Sequence, residues 1–303
     1  MPESISMFDA YAPREIAQRV ESVGVVKARM QTLPLAMLGV LAGAFIGLGS
    51  GFFVIVKSDP SLGFAAAQLA GGAVFSLGLL LVVVAGAELF TGNNLIVMAW
   101  ADGRITAREV LRNWGIVALA NLVGAAGLAL LVYAAGHTAM NDGAIGRTVL
   151  RIVHAKMALS PSEAFFRGAL CNVLVCMAVW MAMAGRSVVD KAVAILLPVA
   201  AFVAAGYEHS IANMYFFPLA MLIEHGASVG TSVTLAAMAA NLLPVIAGNL
   251  LGGSVLVALT YYVIYRRNPA QKKRNQANSA ALIGREGDAP REQLEPHHPV
   301  THE

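Results

Sequence analysis

The chain has 303 residues, of which 57% are hydrophobic and only 13% are charged, about half the charged share usual in soluble domains. Long stretches without a single Asp, Glu, Lys or Arg exclude an ordinary soluble domain and predict a polytopic protein of the lipid bilayer. The formal net charge of +3 says little, because it sums a membrane body with two polar tails.

Residues 1–29 mix charged residues with spaced apolar ones, and they lack the apolar core and small-residue cleavage site of a signal peptide. Within them Ile16, Val20, Val23 and Val26 fall near helical spacing. This pattern predicts a cytoplasmic amphipathic segment that lies on the membrane surface or caps a channel mouth. A solvated lead-in helix is the alternative.

Six apolar stretches predict membrane-spanning helices within a membrane domain of residues 30–267. They lie at about residues 34–56, 65–88, 113–135, 164–184, 190–206 and 232–264. Short broken or re-entrant pieces extend the second and the fifth, at about residues 94–101 and 212–224. The predicted fold is an all-α integral membrane protein.

Lys and Arg are divided unevenly between the two sides of these crossings. Counted as far as Arg274, fourteen lie on the side of the N-terminus and five on the other. The positive-inside rule therefore places both termini in the cytoplasm, which requires an even number of crossings. The polar composition of residues 268–303 predicts a disordered cytoplasmic tail.

One nine-residue motif occurs twice, 120 residues apart. Residues 86–94 read Gly-Ala-Glu-Leu-Phe-Thr-Gly-Asn-Asn, and residues 206–214 read Gly-Tyr-Glu-His-Ser-Ile-Ala-Asn-Met. A second repeat places two asparagines eight residues apart in the third and sixth crossings: Asn113 and Asn121, then Asn241 and Asn249. Because three crossings per half is an odd number, the halves form an inverted 3+3 repeat whose breaks meet near the bilayer midplane.

The chemistry of these breaks suits a small anion. Half-helices that begin near Asn93 and Asn213 would aim their positive ends at the midplane. His209, in an apolar span, can gain a proton as an anion arrives, so that a weak acid crosses as a neutral pair; alternatively it only donates a hydrogen bond. Thr91 in the facing break can bond His209 or the substrate, and Asn213 offers an amide donor.

Other polar residues of the breaks are expected to support the site rather than line it. Glu88 and Glu208 are poorly suited to an anion path, because like charges repel; they are expected to hold the broken backbone or tune His209. Asn93 and Asn172 are expected to cap helices or join them by hydrogen bonds.

Four motifs together resemble the formate/nitrite transporter family, and most of all its formate channels. They occupy residues 88–93, 167–180, 206–214 and 241–249, within a resemblance that runs from about residue 8 to residue 267. The resemblance implies an aquaporin-like fold of six helices, two of them broken. It also implies a homopentamer in the inner membrane, with one pore in each protomer.

The resemblance further implies a hydrophobic constriction and an external lysine. Apolar side chains that narrow a pore block hydrated ions by dewetting. The constriction residues would be Phe75, Leu79, Leu89, Phe90 and Phe202. Lys156, in a loop before the fourth crossing, matches the family's external lysine and would concentrate anions at the mouth.

The favoured function is a passive or proton-coupled channel for small monovalent anions, with formate first and nitrite second. Hydrosulfide, acetate and lactate stay open, because the central residues barely distinguish them. A membrane-embedded enzyme using His209 and the two glutamates lacks a nucleophile or metal set, and a scaffold without transport leaves the paired breaks unexplained. No cofactor, metal or nucleic-acid partner is expected, and Cys171 and Cys176, five residues apart, predict no disulfide.

Overall fold

A computed structural model describes residues 10–226 and 232–267, and every regular element within them is a helix. The α-helices are α1 (Pro13–Arg29), α2 (Thr32–Lys57), α3 (Phe64–Leu81), α4 (Val97–Ala101), α5 (Ala107–Ala134), α6 (Ala144–Met157), α7 (Pro161–Ala182), α8 (Val188–Ala204), α9 (Ser210–Gly226), α10 (Leu235–Leu250) and α11 (Thr260–Tyr265). The predicted tail at 268–303 and the first nine residues lie outside the described part.

Five helical segments are long and apolar enough to cross a membrane: Thr32–Lys57, Phe64–Gly86, Ala107–Ala134, Pro161–Ala182 and Leu235–Tyr265. They match five of the six predicted crossings to within a few residues, with the third beginning earlier, at Ala107. The predicted fifth crossing is α8, whose 17 residues span about 25 Å at 1.5 Å per residue. The predicted all-α membrane fold is confirmed.

Capping boxes set the starts of α5, α7 and α8. In each, a hydroxyl accepts the backbone N–H three residues later, and the carboxylate at that position accepts the N–H of the cap residue. The pairs are Thr106–Glu109, Ser160–Glu163 and Ser187–Asp190. These boxes satisfy the first N–H groups of each helix at the point where it enters the apolar region.

Both predicted breaks occur where the repeated motif begins. α3 continues as a π-helical turn, Val82–Gly86, which ends at Gly86, whose φ is 83°. α8 ends at Ala204, and Gly206 follows with a φ of 69°. Only glycine adopts this left-handed backbone at no steric cost, so the first glycine of each motif ends its helix. A short 3₁₀ turn, Gly92–Ile96, with α4 follows the first break, and α9 follows the second.

The two halves also pack their long helices in the same way. Gly124 of α5 lies against the carbonyl of Val40 on α2, and Gly252, just after α10, lies against the carbonyl of Ala169 on α7. A Cβ atom at either glycine would overlap that oxygen. Small residues permit this close approach between membrane helices.

An amphipathic helix precedes each half, and the sequence identified only one of them. Residues 144–157, expected to be loop, form α6, whose buried stripe of Ile145, Val149 and Val153 repeats every four residues. The intervening arginines at 147 and 151 concealed this stripe in the composition. α6 is the second-half counterpart of α1 by its position before the first long helix.

The buried face of α1 differs from the predicted one. Ile16 and Val20 are buried as expected, but Val26 is 66% exposed. The buried face of α1 includes Gly24 instead. Because Gly24 has no side chain, α1 lies against the backbone of Ile96 and the methyl group of Ala99. α1 therefore packs on the broken segment of the first half.

Candidate functional site

The two repeated motifs meet through Thr91 and His209. The Thr91 hydroxyl oxygen lies 3.0 Å from His209 Nε2, although the residues are 118 positions apart in the chain. Thr91 is fully buried and His209 is 3% exposed. The structure thus joins the two breaks as the inverted repeat predicted, and it fulfils the first of the two alternatives for Thr91, a bond to His209.

A backbone contact fixes the tautomer of His209. The Ala212 N–H donates to His209 Nδ1 at 3.2 Å, so the neutral ring carries its proton on Nε2. That Nε2–H donates to the Thr91 hydroxyl. A second proton can be added at Nδ1 only if the bond from Ala212 is broken.

Each half carries the same lysine–glutamate–asparagine contact. In the first half, Lys27 Nζ lies 2.8 Å from Glu88 Oε1, and Asn93 donates to Glu88 Oε2 at 2.7 Å. The second half repeats both contacts, with Lys156–Glu208 at 2.9 Å and Asn213–Glu208 at 2.7 Å. Both carboxylates are therefore paired and hydrogen-bonded at membrane depth, as a buried charge requires.

The repeated asparagines of the long helices complete this frame. Asn113 donates to the carbonyl of Lys27, and Asn241 donates to the carbonyl of Lys156. Each also accepts a hydrogen bond from the amide of the motif asparagine in its own half, at 3.0 and 2.7 Å. The lysine that pairs each glutamate is thus held by its backbone as well as by its ammonium group.

A second asparagine in each half holds the broken backbone itself. Asn121 donates to the carbonyls of Gly39 and Glu88 and accepts the N–H of Phe90. Asn249 makes the matching contacts, donating to the carbonyls of Gly168 and Glu208 and accepting the N–H of Ser210. These two side chains supply hydrogen-bond partners that the interrupted helices lack.

Each repeated motif lines a cavity of its own, and no residue lines both cavities. The Lys27 cavity has a volume of about 420 Å³ and is lined by residues 86–89 and 92 of the first motif. The Lys156 cavity has a volume of about 280 Å³ and is lined by residues 206–209 and 212 of the second. The same five motif positions therefore build both cavities.

Both cavities carry an excess of positive charge. Three cationic side chains and one carboxylate line each of them, which leaves a formal charge of +2 in each. The first set is Arg19, Lys27, Lys191 and Glu88, and the second is Lys57, Lys156, Arg167 and Glu208. Cavities of one charge sign with apolar walls concentrate counter-ions.

Four of the five predicted constriction residues line one of the two cavities. Leu79 and Leu89 line the Lys27 cavity, and Phe75 and Phe202 line the Lys156 cavity. The two phenylalanine rings meet edge to face at 5.7 Å, and Phe202 stacks on the His209 ring at 5.8 Å. The polar pair is thus flanked by apolar side chains on both sides.

Phe90, the fifth predicted constriction residue, lines neither cavity. Its ring packs edge to face on Trp114 at 6.4 Å, and its backbone N–H is bound by Asn121. The family pattern placed the residue near the break, but the turn of the backbone there aims its side chain into the helix packing. The placement as a constriction residue therefore does not fit the structure.

Three further expectations need correction. Glu88 and Glu208 were expected to stay off the anion path, yet each lines a cavity; the adjacent ammonium group offsets the repulsion. Asn213 was expected to donate to the substrate, but both of its amide hydrogens are used, by Glu208 and by Asn241. Lys156 belongs to α6 and not to a loop, and its side chain is 14% exposed.

Asn93 and Asn172 make the expected kinds of contact. Asn93 binds Glu88 and accepts a bond from Lys27. Asn172 donates to the backbone carbonyls of Thr91 and Asn249, so it joins the break of the first half to α10. Cys176 also points its thiol at the Thr91 carbonyl, at 3.4 Å, a contact that sequence reasoning did not predict.

Lys27 is the main site residue that sequence reasoning missed. It was counted only as a cytoplasmic charge, because α6 was not recognised as a counterpart of α1. The signal was present in the spacing: Lys27 precedes Gly39 by twelve residues, and Lys156 precedes Gly168 by the same twelve. Both glycine carbonyls accept a bond from the frame asparagines.

These features define a class: a duplicated, multi-pass membrane protein with two cation-lined cavities and one buried hydroxyl–imidazole pair that joins its two halves. The sequence model of the formate/nitrite transporter family matches residues 14–263. The chain belongs to that family, and the predicted family is confirmed.

Known relatives support the same assignment. The formate channel FocA of Escherichia coli K12 is 42% identical over 274 residues, which covers 86% of this chain and 96% of the relative. A solved structure described as a pentameric formate channel with formate bound has a TM-score of 0.71 and 35% identity, covering 77% of this chain and 97% of its own. An FNT family ion channel has a TM-score of 0.74 and 32% identity, covering 82% of this chain and 98% of its own. These relatives are channels, and none is an enzyme.

Proposed function

We propose that the protein is a channel for small monovalent anions, with formate as its principal substrate. The observation that carries the proposal is the buried Thr91–His209 pair, which joins two motifs that each line a cavity with a formal charge of +2. A bulk cation has no reason to accumulate in such cavities, whereas a small anion is attracted from either side.

The passage is proposed to run from one cavity to the other past His209. Phe75 and Phe202 on one side and Leu79 and Leu89 on the other leave little room for a hydrated ion. An anion that sheds its water there needs a replacement donor, and the Nε2–H of His209 supplies one when the anion displaces the Thr91 hydroxyl.

Two roles for His209 are consistent with this geometry. In the first, the ring only donates its Nε2–H to the anion. In the second, the ring gains a proton and passes one to the anion, which then crosses as a neutral acid. The second role requires Nδ1 to release the Ala212 N–H. Measurements of flux across pH separate the two roles.

The remaining assignments rest on the relatives and on the charge pattern. A structural relative described as a pentameric formate channel supports a homopentamer with one pore in each protomer. The uneven distribution of Lys and Arg supports an inner-membrane location in which residues 1–29 and 268–303 are cytoplasmic. The Lys27 cavity then faces the cytoplasm and the Lys156 cavity faces outward.

Nitrite is the second candidate substrate, because the matching family is described as a formate/nitrite transporter. Hydrosulfide, acetate and lactate remain further candidates. All are small monovalent anions that a single N–H donor can bind, and the cavity volumes do not discriminate among them.

The test is a flux assay with the purified full-length protein in liposomes. Formate, nitrite and hydrosulfide are compared across a range of pH, with empty liposomes as the control. We expect formate to move fastest. If none of the three anions moves faster than through empty liposomes, the channel proposal is wrong; if nitrite moves faster than formate, the substrate assignment is wrong.

A further inference from the structure

The Lys156 cavity contains a cation that the central site does not use. Lys57 is the last residue of α2 and lines this cavity with Lys156 and Arg167. Lys156 is neutralised by Glu208. Among residues 10–226 and 232–267, no carboxylate lies within ion-pair distance of Lys57.

Lys57 is nevertheless held in a defined place. Its ammonium donates to Gln68 Oε1 at 2.6 Å, and the Gln68 amide donates to the carbonyl of Ala204 at 2.8 Å. α2, α3 and α8 therefore meet at this chain of two hydrogen bonds. Ala204 is the last residue of α8, two positions before the glycine at which the second break begins.

A neutral partner leaves the charge of Lys57 uncompensated. Gln68 fixes the ammonium without cancelling its charge, and it occupies one of the three N–H donors. A lysine whose role was only structural would gain more from a carboxylate at this position, and a lysine needed only for solubility would not be tied to a second helix. Two N–H donors and a full charge remain available on the wall of the cavity.

We propose that Lys57 is the first binding position for an anion that enters the Lys156 cavity, and that Gln68 is the positioning residue that holds it there. The ligand class is a small carboxylate or an anion of similar size. This inference rests on the proposed channel function. The anion passes from Lys57 to the neighbourhood of Lys156 and Glu208 and then to His209, all of which line the same cavity.

The experiment measures initial formate flux into liposomes as a function of the formate concentration on the side of the Lys156 cavity. Replacing Lys57 with Gln is expected to raise the half-saturating concentration about three- to tenfold, because one uncompensated charge at the mouth is lost. Flux at saturating formate is expected to stay within about twofold, because the constriction and His209 are unchanged. Lys57→Arg, which keeps the charge, should resemble the parent.

Two controls make the test specific. Arg147→Gln removes a cation of α6 that binds the Asp142 carbonyl and does not line the cavity, so it should change neither parameter. Gln68→Met keeps the charge of Lys57 but removes the hydrogen bond that holds its ammonium group in place. This variant should raise the half-saturating concentration less than Lys57→Gln does. Added salt should weaken the difference between Lys57→Gln and the parent.

The outcomes separate the two proposals. Parent protein that moves no formate overturns the channel function, and this inference with it. If the parent moves formate but Lys57→Gln has the parent's half-saturating concentration, or if Arg147→Gln shifts it equally, only the role of Lys57 is overturned. Size-exclusion chromatography of each variant shows whether it assembles; if Lys57→Gln does not assemble, Gln68→Met decides the question by the same criterion.

Discussion

The Lys27 cavity and the Lys156 cavity are built on the same polar frame, yet they differ at one motif position that lines both. That position is Leu89 in the first cavity and His209 in the second. The frame positions each break, and it is duplicated because both halves must replace the hydrogen bonds of an interrupted helix. The Thr91–His209 pair, in contrast, occurs only once among the described residues, because one imidazole and one hydroxyl are enough to form it.

The difference extends to the neighbouring positions. Thr91 of the first half corresponds to Ile211 of the second, so the hydroxyl and the imidazole come from opposite halves and from non-equivalent positions. The site is therefore asymmetric within a nearly symmetric frame. Substitutions in the frame should act alike in the two halves, whereas substitutions at the centre should not.

The largest effect is expected at His209. His209→Phe keeps an aromatic ring on Phe202 but removes the Nε2–H donor, so formate flux should fall about 10- to 100-fold, the equivalent of one hydrogen bond to a charged group. His209→Gln restores a donor that does not titrate near neutral pH. Liposome flux across pH measures both.

The matched change in the other half is Leu89→Met, which conserves volume and should leave flux within about twofold. Unchanged flux and pH dependence in His209→Phe would refute any role for the ring in passage. A Gln variant with the parent's pH profile would show that the ring acts as a donor only.

The next effect is expected from the lysines of the frame. Lys156→Gln leaves Glu208 buried without its cation, which should cost about 3 kcal/mol of stability. Lys27→Gln should cost less, because the Lys27 side chain is 24% exposed and that of Lys156 is 14% exposed. Thermal unfolding in detergent ranks the two. The double variant Lys156→Gln with Glu208→Gln should recover most of the loss, and no recovery would mean that the pair is not coupled.

Asn121 and Asn249 offer the most direct test of the duplicated frame. Each makes two hydrogen bonds to the backbone at its own break and a third to a glycine carbonyl of the neighbouring long helix. Alanine at either position leaves these buried groups unpaired, and each variant should lose about 2–3 kcal/mol. The same thermal measurement should give losses that agree to within about 1 kcal/mol. A clearly larger loss in one half would show that the two breaks are not equivalent.

The smallest effect concerns the ion pair that holds α1, between Glu21 and Arg266. Arg266 binds both carboxylate oxygens of Glu21 at 2.8 Å, and Glu21 is fully buried. Burial raises the pKa of Glu21 above its ordinary 4.5, although the hydrogen bond from Arg266 opposes the rise. Arg266→Gln removes the hydrogen bond that lowers the pKa of Glu21 and leaves the Glu21 carboxylate buried without this partner.

The resulting destabilisation should be about 1–2 kcal/mol at neutral pH, since the arginine side chain retains 19% exposure. It should shrink as the pH falls through the raised pKa, because Glu21 then takes up a proton and no longer needs a cation. Unfolding temperatures of parent and variant at neutral and acidic pH test this. A loss that is independent of pH would assign the effect to packing rather than to charge.

Local sequence patterns predict much of this architecture. The apolar stretches, the two motif glycines and the eight-residue asparagine spacing depend on backbone geometry and solvation, which act within one segment. They predicted the long helices, both breaks and the meeting of Thr91 with His209. The sequence also pointed to the family, and the match of the family's sequence model over residues 14–263 supports it.

Tertiary structure alone decided which partner each polar group takes. Lys27 pairs with Glu88, which lies 61 residues further along the chain. Asn213 donates both amide hydrogens within its own frame, to Glu208 and Asn241. Phe90 packs against Trp114. These outcomes depend on where distant helices cross and on the direction of each side chain at the break. Local pattern fixes neither, so the sequence determined the positions of the breaks, and the fold determined which side chains face the path.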